Sequence, residues 1–338
     1  FWLKTSSRPV RRRSAAMSVA AAIDTDGVAV ITGGASGFGL TVAERLAGKG
    51  MRVAVLDVSA DELKTAEAKL KGVAGADRVC ALRCDVGSFS EVKAAQAAVA
   101  AAFPGNRVSF LFNNAGIHGQ NPGQIVAGDA VEAWPRIFSV NVFGAVHTLK
   151  AFLPSMIDAG PLPSGKKTLV VTTSSVVGLL NHNLGPYSVS KMAATAVAEQ
   201  LSLELQAMGE PAAHISPHSL HPTVAATNFL GMRDADGSKM MGDDLKEAFL
   251  KFGTSSADDI INGLFKGLDE GKYYIVVDHA LDIATSKQIA KRMEDQMAGR
   301  RPRKPEQLGM LLMMDDMEAF KERKKKLSQG TATMRSNL

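Results

Sequence analysis

Short apolar runs alternate with longer amphipathic stretches along most of this chain. The apolar runs are five to eight residues long and rich in β-branched side chains, which is typical of strands buried in a sheet. They predict strands at residues 28–32, 52–57, 78–84, 108–113, 168–173, 213–220 and 273–277. Because helical stretches separate most of these runs, successive strands must be joined by crossover connections. The pattern therefore predicts a mostly parallel, doubly wound sheet.

The stretches between the runs carry the signals of helix ends. Ser59 and Glu62 have the spacing of a capping box at the start of one helix, and Pro104 with Gly105 ends another. The predicted helices cover residues 39–49, 59–71, 89–103, 134–154 and 187–208. The sequence shows no repeat with a period of about 20–50 residues. We therefore predict one α/β domain at residues 24–278, with an extension at each end.

Composition narrows the class of protein. Of the 338 residues, 46% are hydrophobic and 22% are charged, which suits a globular protein rather than a disordered one. No run approaches roughly 18 uninterrupted apolar residues, so we expect no transmembrane segment. Cys80 and Cys84 are the only cysteines, which excludes a disulfide-stapled scaffold and predicts reduced core thiols on one face of a strand. No Cys/His ligand set accompanies them, so we expect no metal site.

The net charge of +5 is concentrated at the two ends of the chain. Residues 1–23 carry five basic and no acidic side chains, and residues 287–338 have a net charge of +6. Residues 24–286 between them have a net charge of −6. A mildly acidic central domain argues against nucleic acid as its ligand.

The N-terminal segment has the traits of a transit peptide, since it is rich in Arg, Ser and Ala and lacks acids. The chain does not begin with Met, so either residues 1–23 belong to a longer precursor or Met17 is the true start. We exclude residues 1–23 from the predicted fold. The cytoplasm is the default location, with import into an organelle as the alternative. Residues 279–338 form a basic C-terminal extension with a predicted helix at 281–297.

A glycine-rich turn, TGGASGFG at residues 32–39, lies between the first predicted strand and helix. Glycines allow backbone N–H groups to approach a pyrophosphate, whose charge the helix N-terminus favours. Eighteen residues after Gly39, Asp57 ends the second strand, where a carboxylate can bind a ribose 2′-hydroxyl and repel a 2′-phosphate. Neither Ser36 nor Val58 supplies a basic side chain. NAD is therefore the predicted cofactor, with NADP less favoured.

Further motifs follow in order along the chain. They are Cys84-Asp85-Val86, Asn113-Asn114-Ala115-Gly116, SVNVFG around Asn141, SSVVG at 174–178 and YSVSK at 187–191. With the glycine-rich turn and Asp57, they resemble the classical branch of the short-chain dehydrogenase/reductase family from about Val28 to Asp278. The resemblance implies a single Rossmann-like domain. It also implies an oxidoreductase that transfers a hydride between nicotinamide and a secondary alcohol or ketone.

The resemblance implies four catalytic residues. Tyr187 exchanges a proton with the substrate oxygen, and Lys191 lies four residues further along the same helix face. Its ammonium lowers the pKa of Tyr187 and holds the nicotinamide ribose. Asn141 holds a water in the proton relay. The substrate-orienting serine is Ser175 by the local match to SSVVG, or Ser174 by counting 13 residues back from Tyr187; we favour Ser175, because the following loop loses a residue more easily than the strand end.

By the same resemblance, a larger set of residues binds the cofactor. Asp85 meets the adenine edge, with Val86 packed nearby. The loop at 222–227 holds the nicotinamide carboxamide, but Thr223 follows Pro222 where the family usually has glycine, and its Cβ alters the allowed backbone angles. The predicted cofactor-binding residues are Gly33, Ser36, Gly37, Phe38, Gly39, Asp57, Val58, Asp85, Val86, Asn114, Ala115, Gly116, Tyr187, Lys191, Pro222, Thr223, Val224 and Thr227.

The sequence also bears on the substrate and on the partners of the protein. Residues 229–252 occupy the place of the substrate lid and contain several Met and Leu side chains, which favours a lipophilic alcohol or ketone; simple packing on the core is the alternative. The family forms dimers and tetramers, so we expect a homodimer or homotetramer. The histidines are interpreted as structural or surface residues, with His182 beside the expected pocket. The alternative function is a non-catalytic NAD-binding scaffold subunit, suggested by Thr223 and the charged ends.

Overall fold

Seven parallel strands form one sheet in the computed structural model, which describes residues 19–118, 125, 131–181, 184–223, 255–277 and 285–302. The strands are β1 Val28–Thr32, β2 Arg52–Asp57, β3 Val79–Arg83, β4 Val108–Asn113, β5 Thr168–Thr173, β6 Ile215–Pro222 and β7 Tyr274–Val277. Their order is β3-β2-β1-β4-β5-β6-β7, so the winding reverses between β1 and β4. This confirms the predicted doubly wound, Rossmann-like sheet, with strand ends within two residues of those expected.

Helices connect the strands and cover both faces of the sheet. They are α1 Gly37–Ala47, α2 Ala60–Ala74, α3 Phe89–Ala102, α4 Ala133–Phe138, α5 Gly144–Asp158, α6 Pro186–Met208, α7 Ala257–Asp269 and α8 Thr285–Met297. The helix predicted at 134–154 is divided, because a π-helical turn at Ser139–Phe143 separates α4 from α5. Helix α7 was not predicted, although Ser256 and Asp259 form a capping box at its start.

The alternating side chains of the strands build two hydrophobic cores. On one face, Ile31, Val55 and Phe112 pack with side chains of α1, α2 and α7. On the other face, Val30, Leu56 and residues of α3, α5 and α6 pack together. Strands buried on both faces read as continuous apolar runs, which explains why the sequence pattern located them so well. Cys80 and Cys84 are free thiols that belong to the second core.

The boundaries of the folded unit extend beyond the predicted ones. Ala20 and Ile23 are buried in the first core, although we had excluded residues 1–23 from the fold. Apolar side chains before the first strand thus complete the core beside α7. The Ala22 N–H also donates a hydrogen bond to Oδ1 of Asp269, the last residue of α7, at 2.9 Å. In the C-terminal extension, Arg292 of α8 donates a hydrogen bond to the Leu179 carbonyl. The extension therefore contacts the domain close to the end of β5.

One helical stretch of the described chain, Ala133–Asp158, is long and apolar enough to cross a membrane by length and composition. Half of the most apolar part of this stretch is buried within the protein. There α5 packs into the second core through Leu149, Phe152 and Met156. Its apolar character is accounted for by this position beneath the sheet.

Candidate active site

The glycine-rich turn joins β1 to α1 at the carboxyl edge of the sheet. Gly33 has a φ of 61°, and a Cβ there would lie 2.9 Å from the Ala115 Cα. A Cβ on Gly39 would lie 2.1 Å from the Gly33 carbonyl oxygen. Ser36 is the N-cap residue of α1, which begins at Gly37 and continues with Phe38. Its hydroxyl accepts no hydrogen bond from the backbone N–H groups of the first turn. The turn therefore needs glycine, and the N-terminus of α1 is left open to an anionic ligand.

Asp57 is fixed at the rim of this turn. Its two carboxylate oxygens accept hydrogen bonds from the N–H groups of Ala35 and Ser59, each at 3.1 Å. Burial raises the pKa of Asp57 above its usual value, and these hydrogen bonds act in the opposite direction. The next residue, Val58, is half exposed. An acidic side chain thus closes the β2 side of the turn, with an apolar side chain next to it.

Asp85 follows β3 on the same edge, but its carboxylate already has protein partners. One oxygen accepts a hydrogen bond from the Gly87 N–H and the other from Arg136 Nη1, both at 2.9 Å. Burial by itself raises the pKa of Asp85, but these two hydrogen bonds and the Arg136 charge outweigh it, so the pKa lies below its usual value. Val86 is buried against Gly144, where a Cβ would meet its side chain at 2.6 Å. Both residues therefore anchor the loop after β3 to neighbouring elements.

The segment after β4 is tied to the glycine-rich turn. Thr32 Oγ1 accepts hydrogen bonds from the N–H groups of Asn114 and Ala115 at 3.0 and 3.1 Å. The Asn114 amide donates to the carbonyls of Thr32 and Gly33. A Cβ on Gly116 would lie 3.2 Å from Lys191 Nζ, so the backbone passes close to that ammonium. These contacts bring the predicted adenosine-side residues within reach of the residues on α6.

Asn141 lies in the π-helical turn between α4 and α5. Its side-chain oxygen accepts from the Ile117 N–H at 2.8 Å, and its amide donates to the Ile117 carbonyl at 2.9 Å. The amide also donates to Ser190 Oγ at 2.9 Å, and Ser190 in turn donates to the Tyr187 carbonyl. Insertion of an extra residue per turn re-aims side chains, and such turns are frequent at functional sites. Asn141 therefore links the segment after β4 to α6.

Tyr187 and Lys191 share one face of α6, as their spacing predicts. Both side chains are buried, and Lys191 Nζ lies 5.9 Å from the centre of the Tyr187 ring. Lys191 Nζ donates to the Thr173 carbonyl at 3.1 Å, at the end of β5. Tyr187 is hydrogen-bonded to the side chain of Ser175. A phenol, a hydroxyl and an ammonium thus meet at the carboxyl ends of β4 and β5.

Burial controls the protonation of this cluster. It raises the pKa of the Tyr187 phenol above its usual value, with the Ser175 hydrogen bond acting in the opposite direction. It lowers the pKa of Lys191 to about 8. The prediction that Lys191 lowers the pKa of Tyr187 is therefore wrong for the protein by itself, since the pKa of the phenol is raised. Burial disfavours the charged phenolate, and this effect is larger than that of the Ser175 hydrogen bond.

The two adjacent serines point to different neighbours. Ser174 Oγ donates to the Lys191 carbonyl and is hydrogen-bonded to Thr195 Oγ1, both at 2.8 Å, so it faces the backbone of α6. Ser175 Oγ accepts from the Val177 N–H at 3.3 Å and reaches Tyr187. Successive side chains of an extended chain alternate in direction, which separates the two roles. Of the two hydroxyls, that of Ser175 is therefore the one that lies at the Tyr187 phenol.

Two histidines also lie at this site, although the sequence had suggested that they are structural or surface residues. The His118 ring lies 4.5 Å from the Tyr187 ring, tilted by 39°. His221 is fully buried and lies against the Ser175 carbonyl at 3.0 Å. His118 follows the Asn-Asn-Ala-Gly motif by two residues and His221 precedes Pro222, so nearness to the motifs was the one signal available.

The remaining predicted residues lie at the end of β6. Pro222 is the last residue of that strand, and the buried Thr223 donates its N–H to the Val277 carbonyl at 3.2 Å. The backbone at Thr223 therefore continues the pairing with β7. Val224, Thr227, the segment 229–252 and His182 lie outside the described residues.

Comparisons with known proteins identify the family. Residues 27–236 match the model of the short chain dehydrogenase family. "Short chain aldehyde dehydrogenase 1" of Euphorbia lathyris is 33% identical over 251 residues, which cover 73% of this chain and 83% of that protein. "D-threitol dehydrogenase" of Mycolicibacterium smegmatis is 32% identical over 220 residues, covering 65% of this chain and 77% of that protein.

A solved structure shares both the fold and part of the sequence. The short chain dehydrogenase/reductase from Burkholderia phymatum, in complex with NAD, superposes with a TM-score of 0.69 at 28% identity, over 84% of this chain and 99% of that one. The family match, the relatives and the sheet order agree with one another. The chain therefore belongs to the classical short-chain dehydrogenase/reductase family, and it is an oxidoreductase of alcohol or carbonyl groups that uses a nicotinamide cofactor.

Proposed function

We propose that this protein is an NAD(H)-dependent oxidoreductase that interconverts a secondary alcohol and a ketone, with Tyr187 as the proton donor and acceptor. The observation that carries the proposal is the buried cluster of Tyr187, Ser175 and Lys191 at the edge of the sheet where the glycine-rich turn also lies. Against the non-catalytic scaffold alternative, Asn141 is hydrogen-bonded to Ser190 on the same helix as Tyr187 and Lys191, an arrangement that supports a proton relay.

The residues present fit a dinucleotide. The uncapped N-terminus of α1 suits a pyrophosphate, and Asp57 at the end of β2 suits the two hydroxyls of an adenosine ribose. Lys191, close to the Gly116 backbone, would hold the nicotinamide ribose. When bound, the nicotinamide supplies the hydride acceptor or donor. Asp57 is the residue that favours NAD over NADP, because its carboxylate would lie next to a 2′-phosphate.

The protein groups account for the proton transfer. Burial keeps the Tyr187 phenol protonated at neutral pH, so it can donate to the oxygen of a ketone. In the oxidation direction Tyr187 must first be a phenolate, which the Lys191 ammonium stabilises. The phenolate then accepts the proton of the alcohol. Ser175 orients the substrate oxygen by hydrogen bonding. Asn141, fixed by three hydrogen bonds to Ile117 and Ser190, holds its amide in one orientation beside α6 for the relay.

Cofactor choice is tested at Asp57. We expect NADH to bind at least about tenfold more tightly than NADPH, because one charge-assisted hydrogen bond contributes about 1.5–3 kcal/mol. Asp57→Ser should weaken NADH binding and reduce this preference. Fluorescence titration with each reduced cofactor measures both affinities. Asp61→Ser, which removes an exposed carboxylate in the next helix, is the control and should change neither. Equal affinity for both cofactors in the unmodified protein would refute the assignment.

The two serines are distinguished by a matched pair of substitutions. Ser175→Ala should lower kcat by about 10- to 100-fold with little change in melting temperature, because it removes a hydroxyl that orients the reacting oxygen. Ser174→Ala should instead lower the melting temperature and preserve most of kcat, because it breaks two buried hydrogen bonds to α6. Steady-state kinetics and thermal unfolding of both variants decide between them. The reverse pattern would assign the role to Ser174.

We also propose a substrate class, an oligomeric state and a catalytic domain for this protein from its sequence. The Met and Leu content of residues 229–252 favours a lipophilic substrate, and the family resemblance favours a homodimer or homotetramer. The domain at 24–278, extended by the packing of Ala20 and Ile23, carries the catalytic residues. The location of the protein in the cell rests on the character of residues 1–23 alone.

A further inference from the structure

His221 is a fully buried histidine directly behind Ser175, and the proton chemistry proposed above does not use it. Its Nδ1 lies 3.0 Å from the Ser175 carbonyl oxygen, and its Nε2 lies 2.9 Å from Ser219 Oγ. The side chain extends from β6 towards the turn that follows β5. It thus connects the sixth strand to the backbone of the residue that is hydrogen-bonded to Tyr187.

These two contacts determine the tautomer. A carbonyl oxygen only accepts hydrogen bonds, so Nδ1 of His221 must carry the hydrogen and donate it to Ser175. In a neutral imidazole Nε2 is then an acceptor, and the Ser219 hydroxyl donates to it. Burial lowers the pKa of His221 to about 4, with the nearby Lys191 charge acting in the same direction and the Ser175 hydrogen bond against it. The ring is therefore neutral and fully hydrogen-bonded at neutral pH.

The backbone at Ser175 depends on such a contact. Ser175 has extended backbone angles and precedes a short 3₁₀ helix at Val176–Gly178. Its carbonyl accepts one hydrogen bond from the Gly178 N–H at 2.9 Å within that turn, and the second from His221. The first bond shapes the turn, whereas the second attaches the turn to the sheet. The Ser174 N–H holds the preceding residue to β6 through the Leu220 carbonyl at 2.8 Å, so without His221 it is the Ser175 carbonyl itself that would lose its hydrogen bond to β6.

We propose that His221 is a positioning residue, which holds the Ser175 hydroxyl at the Tyr187 phenol by anchoring the Ser175 carbonyl to β6. The proposal rests on the function proposed above for Ser175. The imidazole is fully buried, and the centre of the Tyr274 ring lies 6.0 Å from its own centre, so the histidine has little room to turn away. A displacement of a catalytic group by about 1 Å can cost on the order of 100-fold in rate.

Two amide substitutions separate the two hydrogen bonds of the ring. In His221→Asn the side-chain amide occupies the place of Nδ1 and can donate to the Ser175 carbonyl. In His221→Gln the amide reaches the place of Nε2 and can bind Ser219 but not Ser175. We expect kcat to fall about tenfold or more in His221→Gln and to stay within about threefold in His221→Asn, with unchanged NADH affinity in both. A role in stability alone would lower the melting temperatures and leave kcat equal in the two variants.

The Ser175→Ala background distinguishes failure of this inference from failure of the proposed function. In that background, His221→Gln should have no further effect on kcat, because the hydroxyl that it positions is already absent. If Ser175→Ala loses activity while both His221 variants keep the kcat of the unmodified protein, the positioning role alone is refuted. Full activity in Ser175→Ala would instead refute the function proposed for the serine.

A measurement on the unmodified protein reports the tautomer of His221 directly. Nitrogen NMR of the imidazoles, with His221→Asn used to assign the signal, reports the protonated ring nitrogen. We expect the neutral Nδ1–H form of His221 from about pH 6 to 9, given the burial and the contact with Ser175. A neutral Nε2–H form, or a doubly protonated ring at pH 6, would overturn the proposal.

Discussion

Replacing Tyr187 with phenylalanine should lower kcat by about 10²- to 10⁴-fold, the usual contribution of a general acid or base. The substitution removes only the phenolic oxygen, so the buried ring should keep its place beside His118 and Lys191. NADH affinity should therefore change little. Steady-state rates with a secondary alcohol and NAD, alongside a fluorescence titration with NADH, measure the two effects separately.

Tyr274→Phe is the matched control for this experiment. The Tyr274 hydroxyl donates to Glu199 Oε1 at 2.7 Å on the partly exposed surface. The control removes the same atom and should leave kcat close to that of the unmodified protein. Activity of Tyr187→Phe within about tenfold of the unmodified enzyme would rule out Tyr187 as the proton-transferring group.

Gly39→Ala should disable cofactor binding and destabilise the protein at the same time. The added Cβ would lie 2.1 Å from the Gly33 carbonyl oxygen, and backbone on both sides must move to accommodate it. Overpacking of this kind costs about 1–3 kcal/mol in the free energy of unfolding. Displacement of the turn also moves the N–H groups that approach the pyrophosphate. We expect NADH affinity to fall by at least about tenfold, as measured by titration alongside urea unfolding.

Gly72→Ala adds the same methyl group to a helix at a position with no heavy atom within 4 Å of the new Cβ. Alanine is the better helix former, so this control should raise the free energy of unfolding by up to about 1 kcal/mol. Its NADH affinity should be unchanged. Normal cofactor affinity in Gly39→Ala would mean that the glycine-rich turn is not the pyrophosphate site.

The strands and the principal motifs could be predicted from the sequence because each rests on local information. A strand buried on both faces is a continuous apolar run, and the spacing of Tyr187 and Lys191 is fixed by the helix itself. Helix α7 was missed because Gly263 and Gly267 weaken its local helix signal. Those glycines are needed because a Cβ at either would lie 2.6 Å from a side chain of β7.

Other features depend on contacts between distant parts of the chain. The choice between Ser174 and Ser175 requires knowing which side of the strand end faces α6, which the spacing of motifs does not give. The pKa values of Tyr187 and Lys191 depend on burial by several elements at once. His221 has an ordinary sequence context, and its contact with Ser175 joins residues 46 positions apart.

The hydrogen bonds that Thr32 Oγ1 accepts from the segment after β4 have a consequence for how activity is acquired during folding. They join residues 82 and 83 positions apart, across the central pair of strands where the sheet changes its direction of winding. Contacts of such long sequence separation form slowly, because the intervening chain must be ordered before they close. Helices can form within their own segments far earlier. Enzymatic activity therefore reports on completion of the whole sheet, and its recovery on refolding should lag behind the recovery of helical content.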